Sequence, residues 1–233
     1  MNLARDTSSL ARVLEPEVMD SVLDAHDYDS MDHGEVNRRF VADFLAAAAS
    51  AELPKDNTVL DLGTGTAQIP IELCRQSPKA RVVAIDLAEH MLVLARRNVD
   101  AAGLAAQIEL KCVDAKGLPF ADGQFAAVMS NSIVHHIPDP RMALAEAVRV
   151  VAPGGLIFIR DLARPYDNAE VAHLVEAYAG DCNEHQRRLF DDSLRAALSV
   201  DEMRALVVTW GCDQASVQAT SDRHWTWSAQ RNC

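Results

Sequence analysis

Residues 59–67 read Val-Leu-Asp-Leu-Gly-Thr-Gly-Thr-Ala, and this stretch decides the fold of the chain. Its apolar half predicts a buried strand, and Gly63 and Gly65 predict a tight turn that leads into a helix. Glycine lets a backbone approach a ligand closely, and the free amide groups at a helix start point towards that ligand. A second apolar strand then ends on Asp86. A glycine turn followed by a strand-end carboxylate is how an α/β sheet binds a nucleoside, with the acid accepting the ribose hydroxyls.

Short apolar strands and amphipathic helices alternate on both sides of this turn. Strands are predicted at residues 58–62, 81–86, 107–113, 125–130 and 156–159, and helices at 67–76, 88–102 and 140–152. Such alternation is typical of a parallel sheet that is covered on both faces. Near the end of the chain the apolar residues recur at every second position, which predicts a closing hairpin. The expected fold is α/β: a doubly wound, seven-stranded, mostly parallel sheet with an antiparallel seventh strand and helices on both faces.

The chain is predicted to consist of a cap and a core. Residues 1–57 are expected to form a helical cap or lid, whose two helices are joined by a polar link at residues 28–33. Residues 58–233 are expected to form the ligand-binding core. A polar helical insertion at about residues 165–198 interrupts this core after the fifth strand.

Composition narrows the class of partner. The 233 residues carry a formal net charge of −12, which disfavours nucleic acid and anionic membranes because both select basic faces. No apolar run approaches the roughly 20 residues that cross a bilayer, and the first residues lack the pattern of a signal peptide. We therefore expect a cytoplasmic protein without stable membrane insertion, with a small-molecule substrate and a homodimer as its expected assembly. The five cysteines are expected to be reduced.

The order of these motifs resembles one known family, the class I S-adenosylmethionine-dependent methyltransferases, whose fold is Rossmann-like. The resemblance extends from residue 58 to the end of the chain. Its motifs lie at residues 59–65, 84–86, 113–115, 118–128 and 149–155, the last reading Arg-Val-Val-Ala-Pro-Gly-Gly. A dinucleotide-binding dehydrogenase is the rival for the glycine turn. That motif continues to a third glycine, where this chain has Gln68, and lacks an acid at the position of Asp61.

The resemblance implies S-adenosyl-L-methionine as the cofactor and S-adenosyl-L-homocysteine as its product. Asp86 would accept both ribose hydroxyls, and Leu87 and Met91 would flank the adenine. Asp114 would accept from the adenine amino group, beside the amide of Ala115. The methionine end would contact Asp61, the turn Gly63, Thr64 and Gly65, and Ser130 and Asn131 after the fourth strand.

Candidate catalytic residues follow from the rule that ligands bind beyond the carboxyl ends of parallel strands. His135 after strand four is the first candidate for a general base, because imidazole titrates near neutrality; His33 and His224 are the others. Arg160 after strand five, and Arg223 before strand seven, would clamp an acidic substrate, and Asp161 and Arg223 are candidate substrate contacts. For Arg160 and its neighbour Asp161, a structural ion pair is the alternative. Tyr28, in the polar link, is expected to fold over the same edge.

No metal site is predicted. His135 and His136 are adjacent, the side chains of neighbouring residues are expected to diverge, and no further ligands stand at suitable spacing.

The acceptor of the methyl group stays open. A small molecule with an O, N or C nucleophile is favoured. Quinone methyltransferases usually carry Arg-Asn after strand four, where this chain has Ser130-Asn131-Ser132, and the cysteines lack the further motifs of arsenite methyltransferases. Two alternatives remain: a cofactor-binding protein without turnover, serving as a partner subunit or sensor, and an enzyme that methylates protein or RNA.

Overall fold

The computed structural model describes residues 10–15, 29, 34–51, 53 and 58–231. Their strands form one seven-stranded sheet in the order β3-β2-β1-β4-β5-β7-β6. The strands span Thr58–Leu62 (β1), Arg81–Asp86 (β2), Ile108–Cys112 (β3), Phe125–Asn131 (β4), Val151–Leu162 (β5), Val217–Ala219 (β6) and His224–Gln230 (β7). β7 lies antiparallel to both β5 and β6, whereas the other neighbouring strands run parallel. The predicted fold class is confirmed.

Seven α-helices are found in the described part of the chain. They span Gly34–Ser50 (α1), Gln68–Gln76 (α2), Glu89–Ala101 (α3), Arg141–Val150 (α4), Asn168–Ala179 (α5), Glu184–Ala196 (α6) and Val200–Val208 (α7). None of these helices, within the residues that the structure describes, has the length and apolar character that a membrane crossing requires.

The strand order places a crevice next to β1. From β1 the chain builds outward through β2 to β3, and then returns to add β4 on the other side of β1. Loops that leave the two sides in opposite directions separate at this point, so the carboxyl ends of β1 and β4 border a natural ligand crevice.

Each face of the sheet buries its own apolar cluster. Trp225 and Trp227 lie fully buried on the face covered by α4 and α7. On the other face α1 packs against β5, where the rings of Phe40 and Phe44 meet Phe158 edge to face at 5.3 and 5.8 Å. α1 therefore covers the sheet directly. The predicted division into a cap of residues 1–57 and a core of residues 58–233 stays a prediction.

β5 is longer than the sequence indicates. A strand over residues 156–159 was expected after a break at Pro153-Gly154-Gly155, but β5 begins at Val151. Gly154 adopts a left-handed φ of 76°, and a Cβ on Gly155 would lie 2.6 Å from the carbonyl oxygen of Ala126. The glycines therefore admit an irregularity in the pairing with β4 instead of ending the strand.

The insertion after β5 consists of α5 and α6, which bury a small cluster with Leu162. A strap formed by residues 10–15 lies along this insertion: the Leu10 amide donates to the carbonyl of Tyr166 at 3.0 Å, and the Val13 amide to Arg195 at 3.1 Å. These two hydrogen bonds hold the strap against the helical insertion.

Candidate functional site

An open cleft lies at the carboxyl ends of β1, β2 and β3 and beside the turn that follows β4. It is mainly apolar and has a few polar groups at its centre and rim. Its lining residues are Gly63, Gly65, Ile85, Asp86, Leu87, Ala88, Met91, Val113, Asp114, Ala115, Lys116, Ser132, Ile133, His136 and Ile137.

The glycine turn forms one wall of the cleft. Gly63 and Gly65 have positive φ angles of 69° and 54°, and Ala67 continues the left-handed turn at 63° before α2 begins. A Cβ on Gly63 would lie 1.9 Å from Cγ2 of Ile133. Glycine is therefore required at position 63 for both its conformation and its size.

Asp86 lies at the centre of the cleft. Its Oδ2 accepts from the amide of Gly65 at 2.7 Å, and its Oδ1 accepts from the amide of Ala88 at 2.9 Å. Burial raises the pKa of Asp86, while these backbone donors act in the opposite direction. The carboxylate thus joins the glycine turn to the start of α3 and faces the cleft.

The rim and the opposite wall come from β2, β3 and α3. Leu87, Met91 and Val113 supply apolar surface. Asp114 stands at the rim, where its Oδ1 accepts from the Lys116 amide at 2.9 Å and its Oδ2 lies 3.3 Å from the Lys116 ammonium. A planar apolar group between these walls would have a hydrogen-bond acceptor at its edge.

Four residues predicted for the methionine end do not line this cleft. Asp61 is 2% exposed, and burial, with the charge of Asp86 adding to it, raises the pKa of Asp61 to about 7. Thr64 is buried in the turn, and the Ser130 hydroxyl donates to the carbonyl of Leu62 at 2.8 Å. Asn131 ends β4 and donates to the Ser132 hydroxyl at 3.2 Å. All four lie at the ends of β1 and β4, next to the cleft.

The turn after β4 supplies four further lining residues, Ser132, Ile133, His136 and Ile137. The segment up to His136 was expected at the ligand edge, and the resemblance gave a loop beside the cofactor as the alternative role of His135 and His136, but no individual contact was assigned to these four residues. Ser132 has a φ of 62°, and a short 3-10 helix at Val134–His136 follows it. This non-repeating backbone turns the side chains back over the glycine turn. The only signal in the sequence was that the segment follows a strand at its carboxyl end.

His135 is buried and lies outside the lining of the cleft. It is 4% exposed, and its Nδ1 lies 2.6 Å from Oδ1 of Asp161. Asp161 also accepts from the amides of Val134 and Leu162. Burial opposes the charged imidazole, but the carboxylate of Asp161 outweighs it and raises the pKa of His135; the same pairing lowers the pKa of Asp161. This placement favours a positioning role for both residues over the predicted roles as base and substrate contact.

Arg160 points to the face of the sheet opposite to Asp161, so the alternative of an Arg160–Asp161 ion pair is wrong. Its Nε donates to the Thr226 hydroxyl at 2.9 Å and its guanidinium to Asp43 on α1 at 2.7 Å. The side chain is 11% exposed. Arg160 thus fixes α1 against β5.

The start of β7 brings Arg223 and His224 to the same edge of the sheet. The Arg223 guanidinium lies 3.4 Å from the centre of the Tyr178 ring, and Tyr178 donates to Asp222 at 2.5 Å. Nδ1 of His224 lies 2.8 Å from the Ser221 hydroxyl. Burial, aided by the positive charges of Arg223 and Arg160, lowers the pKa of His224 to about 4, which leaves its ring neutral near pH 7.

Two predicted residues, Tyr28 and His33, lie outside the described residues. Asp29 is described: its Oδ1 accepts from the side chains of Asn98 at 3.0 Å and Gln68 at 3.3 Å. The polar link therefore contacts α2 and α3 at this point, close to the glycine turn.

Comparison with known proteins agrees with this geometry. Residues 59–155 match the family model described as a methyltransferase domain. A demethylmenaquinone methyltransferase from Thermus thermophilus is 39% identical over 107 residues, which cover 46% of this chain and 48% of that protein. A ubiquinone/menaquinone biosynthesis C-methyltransferase, UbiE, from Roseobacter denitrificans is 28% identical over 190 residues, 77% of this chain and 73% of that one.

Solved structures share the fold at low sequence identity. A SAM-dependent methyltransferase from Aquifex aeolicus superposes with a TM-score of 0.61 at 18% identity, over 90% of this chain and 98% of that chain. The chain spans about half the length of the first curated relatives that it matches. What these relatives share with this chain is therefore mainly the half that carries the cleft motifs.

Proposed function

Because this chain belongs to the class I S-adenosylmethionine-dependent methyltransferase family, we propose that it transfers the methyl group of S-adenosyl-L-methionine to a small-molecule acceptor and releases S-adenosyl-L-homocysteine. One observation carries the proposal: Asp86 presents a carboxylate in a cleft between a glycine turn without side chains and an apolar wall. A ribose with two hydroxyls, flanked by a flat base, fits that combination.

Each part of the cofactor has matching residues. Asp86 would accept from the ribose hydroxyls, and Leu87 and Met91 would lie against the adenine. Asp114 and the Ala115 amide would meet the edge of the base at the rim. The polar methionine end would lie against the backbone of the glycine turn, where Gly63 and Gly65 line the cleft, with Asp61, Ser130 and Asn131 behind this wall.

When bound, S-adenosyl-L-methionine supplies a methyl group on a positively charged sulfur, which is already activated for in-line displacement. The protein's own task is to orient the acceptor and exclude water, and orientation of this kind is worth roughly 7–11 kcal/mol. Ile133, His136 and Ile137 form the wall over the turn and narrow access to the cleft.

The acceptor would approach beside the ends of β4, β5 and β7. Asn131, Arg160 and Thr226 pair across these three strands in one row, so their side chains share a face of the sheet. His224 stands two residues before Thr226 on that face, at the edge. Of the predicted catalytic residues within the described part of the chain, His135 and Arg160 are held by Asp161 and Asp43, which leaves His224. Its pKa of about 4 leaves the ring neutral near pH 7 but makes it a weak base, so it would orient the acceptor by accepting a hydrogen bond.

A quinone is the first acceptor to test. The Ser130-Asn131-Ser132 segment differs from the Arg-Asn expected of quinone methyltransferases, whereas the relatives named above are quinone methyltransferases. The similarity to these relatives favours a methyl acceptor that contains a hydroxylated aromatic ring with a carbon or oxygen nucleophile.

The test has two stages. Calorimetry first measures the binding of S-adenosyl-L-homocysteine, which we expect for the unaltered chain and not for Asp86→Ala. Transfer of labelled methyl groups is then followed with demethylated quinols that carry a short tail, simple phenols, amines and a metabolite extract. Absence of binding would refute the proposal. Binding without a labelled product from any acceptor would favour the cofactor-binding protein without turnover.

A labelled protein or RNA instead of a labelled small molecule would move the acceptor to that class. The cytoplasmic location, the homodimer and the boundary at residues 57 and 58 remain predictions. Gel filtration with light scattering tests the dimer.

A further inference from the structure

The strap of residues 10–15 extends into the turn that lines the cleft. Arg12 secures it there: Nε donates to the carbonyl of Ala196 at 2.6 Å, and the two terminal nitrogens donate to Pro138 at 2.9 Å and Ile137 at 3.0 Å. Three residues further on, the strap brings the carboxylate of Glu15 to the paired imidazoles of His135 and His136. A half-buried carboxylate is thus delivered to two histidines more than a hundred positions away in the sequence.

These three side chains converge on one point. Oε1 of Glu15 lies 3.0 Å from Nδ1 of His136 and 3.6 Å from Nε2 of His135, and the three atoms all lie within 4.8 Å of one another. Ligands bound at about 2.0–2.1 Å to a tetrahedral ion stand roughly 3.3 Å apart. The separations of 3.0 and 3.6 Å lie on either side of that value, so one ion fits between the atoms with small side-chain adjustments.

The histidine rings do not diverge as the sequence suggested. Their centroids lie 4.1 Å apart with the planes tilted by 37°. Both rings belong to the short 3-10 turn at Val134–His136, and Glu15 pairs with both of them.

Asp161 orients the first imidazole for metal binding. It lies 2.6 Å from Nδ1 of His135 and is itself held by the backbone amides of Val134 and Leu162. A proton on Nδ1 directed at this carboxylate leaves the lone pair on Nε2, the atom that faces Glu15. A carboxylate behind a ligating histidine is the usual support of such ligands and strengthens their donation to the metal.

Glu15 is the carboxylate that faces the second imidazole, and the pairing with the histidines lowers the pKa of Glu15 against the effect of burial. Nδ1 of His136 is buried and, among the described residues, has no hydrogen-bond partner of acceptable geometry, although Oε1 of Glu15 is 3.0 Å away. The Ser193 hydroxyl gives Glu15 only contacts of 3.2 and 3.4 Å. Oε1 of Glu15 thus faces a ring nitrogen of each histidine, which is the arrangement of donor atoms that a shared cation requires, and it pairs with the imidazoles when no ion is bound.

We propose that Glu15 Oε1, His135 Nε2 and His136 Nδ1 bind one divalent first-row transition metal ion of the zinc type, with water in the fourth position. Two imidazoles and one carboxylate suit zinc, cobalt or iron(II), whereas magnesium and calcium prefer oxygen ligands. The carboxylates of Glu15 and Asp161 together balance the two positive charges of the ion. Because His136 lines the cleft and Glu15 belongs to the strap, the ion would fasten the strap to the cleft wall.

The site is tested on the whole chain, stripped with a chelator and then titrated with zinc chloride. We expect one tightly bound zinc per chain by elemental analysis, no comparable effect of magnesium chloride, and an increase of the melting temperature with zinc. Glu15→Gln keeps the size of the side chain, and we expect it to lower zinc affinity at least about tenfold. Glu184→Gln, at an exposed residue on α6, is the matched control and should bind zinc like the unaltered chain.

Cobalt distinguishes this site from binding by the cysteines. We expect the visible ligand-field bands of a tetrahedral cobalt site without sulfur-to-cobalt charge transfer, and we expect Glu15→Gln and His136→Gln to lose these bands. The proposal is overturned if the unaltered chain binds zinc no more tightly than Glu15→Gln does. It is also overturned if the cobalt spectrum shows thiolate ligation that both variants retain.

Discussion

Ile133 occupies the space into which a side chain at Gly63 would project: a Cβ built on Gly63 lies 1.9 Å from Cγ2 of Ile133. The turn after β4 and the glycine turn after β1 are therefore fitted to each other without room for one methyl group. This contact holds two walls of the cleft at a fixed distance.

Gly63→Ala is expected to abolish measurable binding of S-adenosyl-L-homocysteine, because Ile133 must move into the cleft to relieve the overlap. Gly103→Ala is the matched control: Gly103 has the same φ of 69°, but a Cβ there meets nothing within 4 Å. In both variants an alanine must adopt the left-handed conformation, which costs about 1–2 kcal/mol. Only in Gly63→Ala does the new methyl group also overlap with Ile133. Calorimetry compares them, and similar affinities would show that the fit between Gly63 and Ile133 is unimportant.

Replacing Asp86 should weaken the cofactor site in two steps. Asp86→Asn removes the charge that strengthens hydrogen bonds to ribose, and we expect affinity for S-adenosyl-L-homocysteine to fall at least tenfold, at about 1.5–3 kcal/mol per charged hydrogen bond. Asp86→Ala also leaves the amides of Gly65 and Ala88 without their acceptor and should bind more weakly still. Asp114→Asn, at the exposed rim, should lose less than either.

Asp61 should make stability depend on pH. Its pKa rises from 3.8 to about 7 on folding, because burial disfavours the carboxylate. An acid with a raised pKa stabilises the fold at low pH and loses this contribution as the pH rises from about 4 to about 7. Asp61→Asn should therefore be more stable than the unaltered chain at about pH 8, by an amount on the order of 2–4 kcal/mol, and nearly equal to it at about pH 4.

Urea unfolding at both pH values measures this difference, with Asp181→Asn as the exposed control. The same Asp61→Asn variant should bind S-adenosyl-L-homocysteine less tightly. An equal stability difference at the two pH values would contradict the assignment.

Breaking the buried pair of His135 and Asp161 should cost about 3–5 kcal/mol, because the partner is left without its counter-charge. Because the pKa of His135 is raised, its contribution to the free energy of unfolding is complete below about pH 6.5 and is lost as the pH rises through the pKa of the folded state. Because the pKa of Asp161 is lowered, its contribution to the free energy of unfolding is complete above about pH 4 and is lost as the pH falls further. The pair should therefore stabilise the fold most between about pH 4 and 6.5.

Unfolding of the unaltered chain and of Asp161→Asn, measured with a chelator present, should differ most in that window. His135→Asn and the double variant complete the cycle and give the coupling between the two side chains. Additive losses in the cycle would mean that the two residues act separately.

The sequence predicted the part of the site that regular structure delivers. Gly63, Gly65, Asp86 and Asp114 follow strands, and strands of a parallel sheet bring their carboxyl ends to one edge, so their meeting in the cleft required only the correct strand order. β5 was predicted too short, because Pro153 and two glycines resemble an interruption when the pairing with β4 is unknown.

The remainder of the site depends on irregular backbone and distant contacts. Ile133 and His136 reach the cleft through a left-handed Ser132 and a single 3-10 turn, which leave no periodic signal. The direction of Arg160 is set by Asp43 on α1, and that of His135 by Asp161 and Glu15. Pairings between residues so far apart in the chain cannot be read from spacing.

The path of the strap has a consequence for how the protein is made. Residues 10–15 are synthesised long before their partners at positions 135–138 and 193–196. At a translation rate of about 5–20 residues per second, roughly 10–40 s pass between the synthesis of the strap and that of α6. The strands β1 to β5 have been synthesised by then, whereas β6 and β7 have not, so the strands that border the cleft can pair while its wall is still unsecured. The segment made early is thus fixed late, and a ribosome-bound chain that ends before α6 can contain β1 to β5 but neither β6 and β7 nor the contacts that fasten the strap to α6.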